Sequence, residues 1–172
     1  MKSNGKVRRA IIPGSYDPIT LGHLDIIKRA SLLYDEIFVG VLINPDKKYL
    51  FSLSEREEMA REACEGIENA TVISDTGMLT DLADRLDCSV IVKGVRDQED
   101  FEYEAKMAEY NRKAAPHIET LLMYADGKMK NISSSLLRQL ILSGDTSGAK
   151  KILPEKVFDM IKNRGYNDTK EN

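Results

Sequence analysis

The apolar residues of this chain fall in short runs that alternate between two spacings, and that alternation limits the fold more than any other feature. Glu36 to Ile43 carries Ile37, Phe38, Val39, Val41, Leu42 and Ile43 almost without polar interruption, as a strand buried on both faces of a parallel sheet would. Ahead of it, Leu21 to Leu33 places Leu24, Ile27, Ala30 and Leu33 at helical spacing. The same alternation continues. Val7 to Ile12, Ala70 to Ser74, Ser89 to Lys93 and His117 to Tyr124 read as further strands. Leu79 to Leu86 and the charged, amphipathic stretch Glu99 to Ala114 read as helices, the second ended by Pro116. Ser54 and Glu57 have the S-x-x-E spacing of a capping box and predict a helix to about Cys64. Ser133 or Ser134 is expected to cap a helix running to about Ser143, with Gly144 just past its end. Pro154 starts a last helix and Gly165 stops it; Tyr166 to Asn172 reads as a frayed tail.

This order predicts an α/β fold: a doubly wound, Rossmann-like domain with a five-stranded, mostly parallel sheet. The 172 residues fit one domain spanning 1–172, with a core over about 7–163. In such sheets ligands bind beyond the carboxyl ends of the strands, where the strand order reverses. The segments Pro13 to His23, Asn44 to Phe51, Asp75 to Leu79, Lys93 to Asp100 and Ala125 to Ser135 are therefore expected around one pocket.

Charge and composition narrow the function. A hydrophobic fraction of 42%, a charged fraction of 31% and a net charge of −3 describe a soluble globular chain rather than a disordered one. A slightly acidic chain is a poor candidate for binding nucleic acid over a broad surface. Cys64 and Cys88 have no C-x-x-C spacing and no nearby histidine, so they read as free, buried thiols of a reducing compartment. Met1 to Arg9 is polar and basic, and Ala10 to Pro13 is too short an apolar run for a secretion signal. No stretch approaches the roughly 20 apolar residues of a membrane span. The expected location is cytoplasmic.

Two segments carry chemistry. Pro13-Gly14-Ser15-Tyr16-Asp17-Pro18-Ile19-Thr20-Leu21-Gly22-His23 makes a tight loop running into a helix. His23 falls in the first helical turn, where the helix dipole and an imidazole both favour a phosphate. Ile132-Ser133-Ser134-Ser135-Leu136-Leu137-Arg138 gathers hydroxyls and free backbone N–H groups at another helix start, with Lys128 and Lys130 just upstream. Taken singly, each has a plain alternative, a helix-start histidine or a serine-rich cap without ligand. Asp75-Thr76-Gly77 reads as a turn. Asp97, Glu99, Asp100 and Glu102 read as a solvated helix start. Phe101, Tyr103 and Tyr110 read as packing residues, and His117 as a surface residue.

Together, T-x-G-H at Thr20 to His23 and I-S-S-S-x-x-R at Ile132 to Arg138 resemble the nucleotidyltransferase superfamily. Within it the chain resembles the bacterial phosphopantetheine adenylyltransferases. The likeness runs from Pro13 to His23 through N-P-x-K-K at Asn44 to Lys48 and F-x-L-x-E-R at Phe51 to Arg56. It continues through G-V-R-x-x-x-D-[FY]-E-Y-E at Gly94 to Glu104 to the serine segment. The resemblance implies transfer of AMP from ATP to 4′-phosphopantetheine, with Mg²⁺ bound to ATP and a homohexameric assembly. It implies that His23 contacts the α-phosphate, with Lys47 and Arg96 at the reacting centre. Ser15 and Tyr16 lie beside the ATP phosphates, and Ser15, Lys47 and Lys93 contact the acceptor phosphate. Leu79 meets the pantetheine arm. Gly94, Val95 and Arg96 line the ATP site, and Glu104 its ribose or adenine side. Met129, Lys130, Asn131, Ile132, Ser133, Ser134 and Ser135 hold the β- and γ-phosphates.

Three positions depart from the family's habit: Ser15 where threonine is common, Lys93 in place of the forked arginine, and Met129 in place of an aromatic. The chemistry is consistent on its own terms. A phosphate monoester acceptor is already anionic, so it needs positioning and charge stabilisation more than a general base or a covalent nucleophile. Other readings stay open at this level. They are a nucleotidyltransferase with a different phosphate acceptor, a nucleotide-binding regulator without turnover, and a fragment of a class I tRNA synthetase, which the lack of a K-M-S-K-S loop disfavours.

Overall fold

A computed structural model describes residues 7–165, which leaves Met1 to Lys6 and the expected frayed tail outside the described residues. Five strands, β1 (Arg9–Gly14), β2 (Glu36–Leu42), β3 (Ala70–Asp75), β4 (Val90–Val95) and β5 (Glu119–Tyr124), form one sheet in the order β3-β2-β1-β4-β5. Every pairing in it is parallel. Among the described residues seven helices flank it: α1 (Leu21–Ser31), α2 (Leu53–Cys64), α3 (Leu79–Arg85), α4 (Gln98–Ala114), α5 (Ser134–Ser143), α6 (Thr146–Lys150) and α7 (Glu155–Arg164). A single 3-10 turn, Gly127–Met129, precedes α5.

The side-chain alternation of the strands makes two cores. On one face Ala10, Ile12, Ile37, Val39, Val41, Val72 and Val92 pack against α1, α2, α5 and α7, through residues such as Ile27, Met59, Leu137 and Phe158. On the other, Ile11 and Ile91 meet Leu82 and Ala83 of α3, with Cys88, Ala115 and Ile118. The unbroken apolar run of β2 is thus explained by helices on both sides. Both cysteines are buried and free, and burial pushes each thiol up to about 11.

The sheet is least continuous at its centre. β1 pairs with β2 along its whole length, from Arg9↔Glu36 to Gly14↔Val41. It pairs with β4 only at Ala10↔Val90 and Ile11↔Ile91. Beyond that point Pro13 has no N–H to give to either neighbour, and the two strands part. β4 meanwhile continues to Val95, past the expected end at Lys93, because β5 pairs with it through Val95↔Tyr124.

Several local expectations change. The capping box of α2 is Ser52 with Glu55, one pair earlier than Ser54 with Glu57: Ser52 Oγ accepts from Glu55 N at 3.3 Å, and Glu55 Oε2 accepts from Ser52 N at 2.7 Å. Both pairs fit the S-x-x-E spacing. Phe51 N bonds to Asp17, which anchors the chain just before Ser52 and so sets where the helix begins. Glu57 instead pairs with Arg61 at 2.5 Å and accepts from the Ser74 hydroxyl. Helix α6, capped by Asp145, whose Oδ1 accepts from Gly148 N at 2.9 Å, leaves no periodic trace in the sequence, because five residues are too few to show one. Gly144 (φ 75) and Gly165 (φ 76) end their helices as expected. Helix α4 buries no residue, and Phe101, Tyr103 and Tyr110 are exposed rather than packed.

The corrected cap is testable. Ser52→Ala is expected to cost about 1 kcal/mol of unfolding free energy, while Ser54→Ala, exposed inside the helix, changes it by less than about 0.5 kcal/mol. Urea midpoints of the two variants compare them directly. The reverse ranking would return the cap to Ser54.

Candidate active site

The parting of β1 and β4 opens a cleft of about 590 Å³ at the carboxyl end of the sheet, the switch point of this topology. Its floor is the loop between β1 and α1. Gly14 must be glycine here, since a Cβ would lie 2.9 Å from the Tyr16 ring. Tyr16 takes a positive φ of 47°. That turns its ring inward, where the hydroxyl donates to Ile12 O at 2.8 Å and burial holds the phenol far above its ordinary range. The ring meets His23 edge-on, with centroids 5.0 Å apart.

His23 is fixed at its other side by the helix it stands on. Thr20 caps α1, and His23 occupies the third helical position usually held by glutamate or glutamine. The backbone N–H of Thr20 donates to His23 Nδ1 at 3.0 Å. That bond places the proton of the neutral ring on Nε2. Desolvation, then the charges of Lys93 and Arg96, lower its pKa from 6.5 to about 4. The imidazole is therefore a neutral hydrogen-bond donor with a fixed tautomer, not a cation.

The second helix start is tied to the same loop. Ser133 Oγ caps α5 by accepting from Leu136 N at 3.1 Å, and the N–H groups of the first turn cannot find partners within the helix. Ser134 Oγ donates to Pro18 O at 3.1 Å, and Arg138 Nη1 donates to Asp17 O at 3.1 Å. A Cβ on Gly22 would stand 3.7 Å from Ile132 O. The imidazole after β1 and the triple-serine helix start, over 100 residues apart in sequence, thus share one cleft. Two helix N-termini and one imidazole N–H can converge there on an anion.

Cations line the remaining walls. Lys93 Nζ lies 3.1 Å from Glu104 Oε1. Arg96 grips Asp100 through Nε at 2.7 Å and Nη2 at 3.1 Å, and reaches Ile132 O at 3.5 Å. Lys47 and Lys48 stand on an exposed turn, in which Lys47 N donates to Asn44 O at 3.0 Å. Gly94 lines the cleft too, though its tightest constraint is helix packing: a Cβ would meet Ile26 Cγ1 at 3.0 Å.

Of the residues singled out from the sequence, Ser15, Tyr16, His23, Lys47, Lys93, Gly94, Arg96, Glu104, Met129, Ile132 and Ser133 to Ser135 line this cleft. Val95 is buried in β4, Lys130 extends over the Tyr124 ring at 5.2 Å, and Asn131 is not among the lining residues. Nor is any part of the segment Asp75 to Leu79. β3 is an edge strand two places from the switch point, and Asp75 closes a turn by accepting from Gly77 N at 2.6 Å. Leu79 packs against the second core.

Polar lining residues without an assigned role in the sequence include Asp17, Asp46, Lys48, Tyr49 and Arg138, and Asp100, expected at a solvated helix start, lines the cleft as well. Asp17 is 1% exposed and accepts from Leu50 N and Phe51 N, both at 2.9 Å. Its place between two motif residues, before a proline, was the available sign.

The family model for cytidylyltransferase-like proteins matches residues 11–140. A Clostridium novyi (strain NT) protein named phosphopantetheine adenylyltransferase is 45% identical over 158 residues, covering 92% of this chain and 97% of that one. A Clostridium kluyveri protein of the same name is 46% identical over 155 residues, covering 90% of this chain and 93% of its own. A solved Vibrio parahaemolyticus structure described as a candidate nicotinate-nucleotide adenylyltransferase superposes with a TM-score of 0.70 at 15% identity. It covers 97% of this chain and 98% of that one, a likeness of fold alone.

The neutrality of His23 has a measurable consequence. The unfolded chain takes up a proton near pH 6.5 and the folded one only near pH 4. This site's contribution to stability is therefore present above about pH 6.5 and is lost as the pH falls toward 4. NMR titration of the ligand-free protein should give a midpoint near 4 with the proton on Nε2 above it. A midpoint at or above 6.5 would refute the desolvated, neutral ring.

Proposed function

The chain belongs to the phosphopantetheine adenylyltransferase family of cytidylyltransferase-like proteins, and on that premise we propose how its cleft moves AMP from ATP to 4′-phosphopantetheine, giving dephospho-coenzyme A and pyrophosphate. The observation that carries the reading is the convergence of His23 and the Ser133–Ser135 helix start on one cleft. Two phosphates can meet there with donors on both sides.

The acceptor's phosphate oxygen attacks the α-phosphorus of ATP in line. One P–O bond forms, the bond to the β-phosphate oxygen breaks, and pyrophosphate leaves with its electron pair. No covalent enzyme intermediate is needed. His23 Nε2–H donates to an α-phosphate oxygen as charge builds there, a role that suits a neutral donor held in one orientation. Ser133, Ser134 and Ser135, with Met129 to Ile132 before them, receive the β- and γ-phosphates on the N-terminus of α5. Gly94, Val95 and Arg96 support the nucleotide, and Glu104 faces its ribose or adenine side. Ser15, Lys47 and Lys93 hold the acceptor phosphate, with Lys47 and Arg96 countering charge at the reacting centre. Leu79 serves the pantetheine arm, which is long enough to leave the cleft.

We read Mg²⁺ as arriving on the phosphates of ATP, where it neutralises part of their charge while keeping mostly water ligands. That fits a cleft in which the carboxylates of Asp100 and Glu104 are engaged by Arg96 and Lys93. The exposed aromatic and apolar side chains of α4 and the edge strand, Phe101, Tyr103, Met107, Tyr110, Leu121 and Tyr124, support a homohexamer by giving neighbouring copies a surface to cover. Among the described residues no helix is long and apolar enough to cross a membrane. The small-molecule substrates and the slight negative charge favour a cytoplasmic enzyme without nucleic-acid partners.

Protein mixed with Mg-ATP and 4′-phosphopantetheine is expected to release pyrophosphate and form dephospho-coenzyme A, followed by chromatography. Nicotinamide mononucleotide or glycerol phosphate as acceptor should not replace it. His23→Ala is expected to lower kcat by about a hundredfold or more, with an unchanged fold by circular dichroism. Near-normal turnover in that variant would remove His23 from the mechanism.

A further inference from the structure

Arg56 is the largest side chain buried to less than 2% exposure in the molecule's described part, and the transfer chemistry makes no use of it. Its hydrogen bonds go to carbonyls rather than to a carboxylate. Nε donates to Phe51 O at 3.2 Å, and Nη1 donates to Ser15 O at 2.5 Å and to Leu42 O at 3.0 Å. Its guanidinium carbon lies 4.0 Å from the centroid of the Tyr49 ring. Tyr49 in turn closes the turn that carries Lys47. Its hydroxyl accepts from Asn44 N at 2.5 Å and donates to Asn44 O at 3.2 Å.

We propose that Arg56 and Tyr49 act as a positioning pair for the acceptor phosphate. One buried, planar guanidinium fixes the Ser15 backbone on one edge and the lid of the Lys47 turn on its face. Two of the three groups assigned to the acceptor phosphate, Ser15 and Lys47, therefore share a single anchor, while the α5 serines assigned to the β- and γ-phosphates are held through the carbonyls of Asp17 and Pro18. A buried cation whose hydrogen bonds all go to carbonyls, with the Asp17 carboxylate acting on it only through its charge, is expensive to desolvate. The geometry that repays it uses the fork and the flat face at once, which lysine cannot reproduce. The inference rests on the assignment of Lys47 and Ser15 to the acceptor.

The test is steady-state kinetics of the full chain, varying 4′-phosphopantetheine and Mg-ATP separately. Tyr49→Phe keeps the ring over Arg56 and removes the closing hydroxyl. It is expected to raise KM for 4′-phosphopantetheine about fivefold, the worth of one net hydrogen bond. KM for ATP and the urea midpoint should barely move. Arg56→Lys is expected to raise the acceptor KM by about tenfold or more. In the Lys47→Ala background, Tyr49→Phe should add little, because the two act through the same contact. A folded Tyr49→Phe variant with an unchanged acceptor KM, or with an equal rise in the ATP KM, overturns the positioning role. If Lys47→Ala itself leaves the acceptor KM unchanged, the assignment of the acceptor site fails and this inference falls with it. If Lys47→Ala raises it and Tyr49→Phe does not, the inference alone fails.

Discussion

The separation of β1 from β4 governs the rest of the molecule. Two adjacent parallel strands that stay paired for their full length leave no room between the segments that follow them. Here pairing stops after Ile11↔Ile91, and the chain leaves β1 toward one face of the sheet and β4 toward the other. Helix α1 packs with the larger core and α4 lies across the opposite face. The gap between their starts is the cleft. Proline at position 13 supports this opening from within the strand, since it has no hydrogen to offer across the gap.

A gap alone would fill with water and mobile loops. What gives this one a shape is a set of polar links among segments distant in sequence. The buried carboxylate of Asp17 takes both N–H groups of Leu50 and Phe51, and its own carbonyl takes Arg138. Ser134 bonds to Pro18, and Arg56 bonds to Ser15 and Leu42. Each link satisfies a backbone group that the loops would otherwise leave unpaired in a partly dry environment. Binding groups held this way keep their orientation before any ligand arrives, which is the condition for electrostatic stabilisation to lower a barrier.

Much of this was readable in the chain itself. The β-branched run of β2 and the helical spacing of α1 identify a parallel sheet with covered faces, and the two motif segments identify the loops that meet. Gly144 and Gly165 mark helix ends because a left-handed residue is needed there. The failures have local causes. Ser52 and Ser54 offer the same capping pattern, and only the tertiary bond from Phe51 to Asp17 decides between them. The third strand's loop was expected at the cleft because strand order cannot be read from periodicity; an edge position removes it. His23 was legible as a helix-start residue of the cleft but not as a neutral one, since its state depends on burial and on Lys93 and Arg96 arriving from β4 and the residue after it. Arg56 sat in a quoted motif without a role because a charged residue inside an amphipathic helix ordinarily points to water.

Two cations in the cleft wall already have companions. Lys93 holds Glu104, and Arg96 holds Asp100 with two bonds. An anion that takes up Lys93 or Arg96 competes with these carboxylates, so its binding there is an exchange and not a simple capture. A singly charged ion such as chloride gains little from such a trade. A polyphosphate, presenting several oxygens to both helix starts at once, gains at every contact. The resting ion pairs thus set a cost on drawing Lys93 from Glu104 or Arg96 from Asp100, and that cost weighs more heavily on a singly charged ion than on a multiply charged one.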